Sequence, residues 1–520
     1  MGAMTSRNFM EPPPIDSPSP TPHKWVRRLG WTVLWLITIP FLAAALSGAY
    51  SKHRYQKALA NAKAAGLPDS WDEVLPKPVP EVDNFGAIED FKPFLAIEHV
   101  KVPPSSENPF GFKTRYLDET GMKPLKSIKP LKISGGSLKV LGPFEARNLA
   151  DLRSKALSEN RLAPDTTDLS DSDAILKVYE NLDPLWKRLH EAKQRPHASV
   201  FPTAPAPNPL LQVNPLINPV LSITNVTQLR ARAHVNAGRG TEALEECLLL
   251  LKVADLHTYP TLIEHLVYVT QLGVLMPALY EGVSRQVWSD PQLAILDQAL
   301  ARCDCLSSLE VSLGGESLFA RDMQASVQAE TTLKKDAKLE MLLAVVGRDA
   351  KARSFLDKFL TIFFGKTILN IISTNSLDSI TLYKKAVSAE GSRNLRAILP
   401  PPKPHWGPLN FLAESISLPF FGVIKTSLRG QTLVNIARIA IALERHRLRH
   451  GSFPPELETL VPSFLAAIPA EVFDGAPLHY LLKENAQGFM LYSTGWKGTD
   501  DGGAMDYSKP DQTNWTWSTP

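Results

Sequence analysis

Glu264-His265 and Glu316 are the residues whose types could carry acid–base chemistry here: a carboxylate beside an imidazole, and a carboxylate following Gly314-Gly315 with Arg321 close in sequence. Neighbours on a helix point about 100° apart, so Glu264 and His265 do not aim at one reacting atom. Glu316 reads as a member of an ion pair, buried or at the surface. No G-x-S-x-G, H-E-x-x-H, P-loop or G-x-G-x-x-G segment accompanies them. Hydrolysis is the remote reading, and the sequence assigns no catalytic residue.

Three thiols complete the reactive inventory. Cys303-Asp304-Cys305 is too short a loop to bridge, and a C-x-C pair without a second Cys/His pair falls short of a zinc pattern, so these two and Cys247 read as buried, inert thiols. A net charge of +3 with no basic stripe interleaved with aromatics argues against nucleic acid as a partner.

The elements around these residues start from Leu29–Tyr50, LGWTVLWLITIPFLAAALSGAY, which carries no charge and spans roughly 33 Å as a helix. That length crosses a bilayer. His23, Lys24, Arg27 and Arg28 ahead of it resemble an export n-region, which leaves the short tail in the cytoplasm and the bulk outside. The run is longer than a signal h-region and carries Trp31, Trp35 and Tyr50 for the interfaces, so it reads as an uncleaved single-pass anchor. Nothing downstream is long and apolar enough to return. Phe355–Ile372 comes nearest, but Asp357, Lys358 and Lys366 make it a buried or interfacial amphipathic helix.

The expected organisation is a disordered tail over 1–28, a transmembrane helix over 29–50 and a mixed juxtamembrane region over 51–142. A helical domain over 143–398, a proline-rich linker over 399–427 and a small α+β module over 428–520 follow. The fold class is thus mainly α with an N-terminal transmembrane helix. Helical spacing runs through Glu145–Ser158, Asp171–Gln194, Thr261–Gly273 and Pro291–Cys303, the last with Asp290 as its cap. Phe85–Ile97 could be helical and Ser137–Leu141 a strand. Gly238-Arg239-Gly240 splits Thr227–Asp255 into a helical hairpin whose wording, HVNAGRGTEALEECLLLL, resembles one tetratricopeptide-type unit. In the last module, Thr432–His450 is a helix with Arg445, Arg447 and Arg449 complementing its dipole, and Leu478–Leu482 with Phe489–Tyr492 forms a hairpin.

The order of features in ALERHRLRHGSFPPELETLVPSFLAAIPAEVFDGAPLHYLLKENAQGFMLYSTGWKGTDDGG resembles the soluble part of type II secretion major pseudopilins. That resemblance implies a calcium ion in the loop after the hairpin, for which the acidic residues here are Asp500, Asp501, Asp506 and Asp511. Trp496-Lys497 stands where the family's first acidic ligand would fall, which leaves a solvated acidic turn as the other reading. The whole chain is also similar to a group of uncharacterised bacterial proteins anchored once near the N-terminus, through EAKQRPHA, LRARAHVNAGRGTEAL, TLIEHLVYVTQLGVLMPALYEG and WSDPQLAILDQAL. The resemblances place the chain in a bacterial inner membrane with its bulk in the periplasm. The expected role is a membrane-anchored interaction or scaffold protein with protein partners. The alternative is an accessory of a secretion system, docking on pseudopilin-like subunits through its last module.

Overall fold

In the computed structural model, one helix, α1 (Lys24–Ala64), runs unbroken through the whole apolar segment and on into the body of the protein. The structure describes residues 24–102, 112–131, 148–163, 166–200, 214–256, 260–329, 355–388, 410–483, 488–506 and 512–519. The expected strand at Ser137–Leu141 lies outside them. Helix already begins at Lys24, so the last residues of the expected disordered tail are ordered into α1. The Ala- and Lys-rich stretch after Tyr50 keeps the helix going, and Gly66, at φ +72°, turns the chain out of it ahead of Pro68.

Described residues are mainly helical, with two small antiparallel sheets. The short helices α2 (Lys92–Leu95) and α3 (Lys123–Lys126) flank the hairpin β1 (Ile97–Lys101) and β2 (Phe112–Tyr116), in which Ile97 pairs with Tyr116. Sequence reasoning missed both strands, and Phe85–Ile97 is a 3-10 turn followed by α2 rather than one helix. Then come α4 (Leu149–Ser158), capped by the Asn148 side chain, and α5 (Asp171–Val178), capped by Ser170. The helix expected over Asp171–Gln194 is broken after Val178, because Pro184 lacks the N–H an interior position needs and instead opens α6 (Asp183–Ala192).

The middle comprises α7 (Ile217–Asn236), α8 (Gly240–Ala254), α9 (Leu262–Ser284), α10 (Asp290–Leu300), α11 (Cys305–Ala329) and α12 (Phe355–Ser388). α9 outruns its expected end at Gly273 and carries Pro277 in its interior. Leu275, Met276, Leu279 and Val283 continue its buried side, so packing outweighs the missing hydrogen bond. Ser289, not Asp290, caps α10 through a reciprocal pairing with Gln292. A second helix long and apolar enough to cross a membrane is α9 itself, but 67% of its most apolar window is buried, the mark of a core helix.

α13 (Asn410–His450) corrects the expected boundary: the linker placed over 399–427 is helix from Asn410 onward. β3 (His479–Leu482), β4 (Phe489–Ser493) and β5 (Trp515–Ser518) follow as a sheet in the order β3-β4-β5. The hairpin is where it was expected, and β5 is an addition. Two cores result. One gathers α1 past Tyr55, α8 to α13 and the sheet; the other gathers Phe85, Phe91 and Trp186 with one side of α7. The buried pair Arg232 and Glu281, with Asn236 donating to the same carboxylate at 2.8 Å, ties α7 to α9.

Candidate functional site

The residues singled out for chemistry converge on the start of α9. Glu264 and His265 are both buried there. Gly315 explains how α11 reaches this point: a Cβ on it would stand 1.9 Å from the Pro260 carbonyl oxygen, so only glycine allows the approach. Glu316 follows, and its carboxylate accepts from the Leu262 N–H at 3.4 Å, at the amino end of α9. Burial raises its pKa above the ordinary value. Arg321 does not pair with it: the guanidinium donates to the Pro68 carbonyl at 3.0 Å and lies 3.8 Å from Asp69.

Two serines that sequence reasoning missed flank His265. Ser427, from α13, lies 2.6 Å from Nε2, and Ser308, from α11, lies 2.9 Å from Nδ1. A serine hydroxyl at this distance from an imidazole is the geometry of a nucleophile and its base. The proton directions oppose that role. Ser427 donates its single hydroxyl proton to the Val423 carbonyl at 2.8 Å, so it accepts from Nε2–H, while Nδ1 accepts from Ser308; this tautomer is assigned from the hydrogen-bond network. Ser427 is fully buried. The arrangement clamps α9, α11 and α13 together. No motif spacing could have revealed it, because its three members come from distant parts of the chain.

The thiols are equally enclosed. Cys247, Cys303 and Cys305 are buried and free, and burial pushes all three pKa values up, Cys303 to about 12, away from the reactive thiolate. The basic end of α13 is spent on neighbours. Arg445 and Arg449 both reach Asp290 on α10, at 2.7 and 2.6 Å, and both lie over the Phe464 ring, while Arg447 grips Glu444 with two hydrogen bonds. Burial alone would raise the Asp290 pKa, but the two guanidinium groups outweigh it and hold it low.

In the acidic loop, Asp500 accepts from Tyr492 Oη at 2.9 Å and from the Gly502 N–H at 2.9 Å, and Asp501 pairs with Lys497 at 2.8 Å. Asp506 donates its N–H to Thr513, and Asp511 lies outside the described residues. The centre of the loop belongs to Asn514, fully buried, whose Oδ1 accepts from the N–H groups of Asp501 and Gly503 while Nδ2 donates to the Thr499 carbonyl. Among the described residues no group of three or more His, Cys, Asp or Glu is placed to hold a metal ion. The Asn514 amide thus organises the backbone of the described part of this loop.

A cleft of about 580 Å3 opens where α11 and α13 meet the 470–475 loop, lined by Asp304, Glu310, Gln431 and Asn435 among others. Asp304 caps α11 and Glu310 pairs with Lys384, so these acids already serve the fold. Comparison with family models, curated proteins and solved structures finds no match to this chain.

Proposed function

We propose that this chain is an interaction or scaffold protein anchored in a bacterial inner membrane, with its body in the periplasm and no catalysis of its own. The observation that carries this reading is α1. Its first half exposes Trp31, Leu34, Trp35, Leu36, Phe41 and Leu46, more apolar surface than water tolerates, while its second half buries Tyr55, Ala58 and Ala62 in the main core. One helix is both span and structural member. The engagement of His265, Glu316 and the thiols in packing supports a non-catalytic role. In this reading α7 and α8 are the tetratricopeptide-like unit of a helical surface for protein partners.

The second reading, a secretion-system accessory whose α13 and β3–β5 act as a pseudopilin-like unit, is favoured by β3. It is an edge strand with Leu481 and Leu482 exposed, the surface an incoming strand would extend.

Reporter fusions after Pro520 test the placement: phosphatase activity is expected, and cytoplasmic fluorescence without it would invert the topology. Affinity capture of the full-length protein and of Leu481→Glu separates the two readings. Loss of envelope-machinery partners alone in the variant would favour the accessory role. Deleting 428–520 is not a usable comparison, since it would cut α13 inside the core.

A further inference from the structure

Within the exposed half of α1, one stripe is covered. Pro40, Ala44, Ser47 and Gly48 are half-buried while the residues around them are largely exposed, and the stripe continues at helical spacing through Ser51, Tyr55, Ala58 and Ala62 into the core. The helix packed most extensively on α1 is α12. Ser47 Oγ lies 3.3 Å from Thr367 Oγ1, Asn370 donates to Ser51 at 3.1 Å, and Arg54 reaches Asp378 at 3.9 Å. Positions on both helices rise together, so α1 and α12 run parallel. Residues before Thr367 therefore lie beside α1 residues before Ser47. Phe355 stands about 18 Å back along that line.

We infer that the first turns of α12, Phe355 to Lys366, enter the lipid leaflet beside α1, so that the anchor is a packed pair of helices on the side facing the body. This rests on the reading of α1 as a membrane span. A crossing of about 30 Å of hydrocarbon uses about 20 helical residues, and so consumes nearly all of Leu29–Tyr50. Pro40 to Gly48 then lie inside the hydrocarbon, and so does whatever covers them. The contact has the chemistry of helix association in lipid: small residues that let backbones approach, joined by a hydroxyl pair, Ser47 with Thr367. The segment Phe355–Lys366, FLDKFLTIFFGK, is largely apolar in sequence; its charged residues are Asp357, Lys358 and Lys366, a net charge of +1, and Lys366 falls at the end nearest the body. The partner proposed for this segment is lipid hydrocarbon.

The test uses full-length protein in phosphatidylcholine–phosphatidylglycerol vesicles. The natural thiols are buried, so a nitroxide placed by Phe359→Cys or Ile362→Cys reports one site. Leu36→Cys on exposed α1 and Leu448→Cys at the far end of α13 are the references. Both α12 labels should match Leu36→Cys, with relaxation by oxygen exceeding that by an aqueous nickel chelate, and should invert the Leu448→Cys order. Labels at 359 and 362 that follow Leu448→Cys while Leu36→Cys reads lipid would overturn the inference and leave the span intact. If Leu36→Cys also reads water, the span itself fails, and the inference with it. Should the substitutions perturb folding, a photoreactive phospholipid answers on the unmodified chain: an adduct is expected on the tryptic peptide Phe359–Lys366. Adducts confined to α1 peptides would refute it.

Discussion

His265 Nε2 sits 2.6 Å from Ser427 Oγ, and the bond joins the first turn of α9 to the middle of α13. Because Ser427 accepts here, the pair binds helices and does not activate a nucleophile. His265→Ala should lower unfolding free energy by about 3 kcal/mol, combining a cavity with two serine hydroxyls left without their partner. Adding Ser427→Ala should cost less than the sum of the single changes, as measured by urea unfolding. Labelling of Ser427 by a fluorophosphonate probe would contradict the assignment.

Gly282 makes a sharper test of packing. A Cβ there would stand 2.2 Å from the buried Trp288 ring, whose Nε1 donates to the Gly240 carbonyl at 3.0 Å. In an open helix, Gly→Ala gains about 1 kcal/mol. Gly282→Ala should instead lose about 2 kcal/mol or more through overpacking. A higher melting temperature in the variant would show that Trp288 does not sit against α9.

Glu316 supplies a pH-dependent prediction. Its pKa is raised by burial, with the Leu262 N–H opposing, so the folded state holds the proton more tightly than the unfolded chain. Stability linked to this group is fully present below the unfolded value of 4.5 and is lost as pH rises through the raised folded value. Glu316→Gln mimics the protonated form and keeps an acceptor for Leu262. Its advantage over the wild type should be absent at pH 4 and should grow toward neutrality. A stability difference that does not change with pH would sink this account.

The acidic loop yields the fourth prediction. Asn514→Ala removes three hydrogen bonds from a buried loop and should cost about 2–3 kcal/mol. Millimolar calcium against chelator should move the melting temperature of the intact protein by no more than about 2 °C, since a ligand stabilises with the logarithm of its concentration over its dissociation constant. A fall of about ten degrees on chelation would instead make Asp500, Asp501, Asp506 and Asp511 calcium ligands.

Strong local signals were the legible ones. The uncharged run from Leu29, the Gly238–Gly240 turn and the alternation around Tyr480 and Leu491 each declare an element within a few residues. Long-range facts were not. Residues 410–427 read as part of the linker that the prolines from Pro400 to Pro404 announce, yet α13 runs through them because Val423, Ile424 and Leu428 are buried against other helices. β5 was readable in the alternation Trp515-Thr516-Trp517-Ser518 but is stabilised by distant partners: Tyr280 on α9 donates to the Ser518 carbonyl at 2.8 Å and packs edge-on to Trp517. The His265 cluster was legible only in its first member, since a serine carries no periodic signature.

On the proposed reading of Leu29–Tyr50 as a membrane span, the unbroken run of α1 from Lys24 to Ala64 has a mechanical consequence. There is no swivel at the bilayer surface. Rotating the body about the membrane normal means rotating the span, so every copy holds a fixed azimuth relative to its own anchor. In that reading a sideways load on the body reaches the membrane as tilt, as through a lever, where a slack tether would have absorbed it.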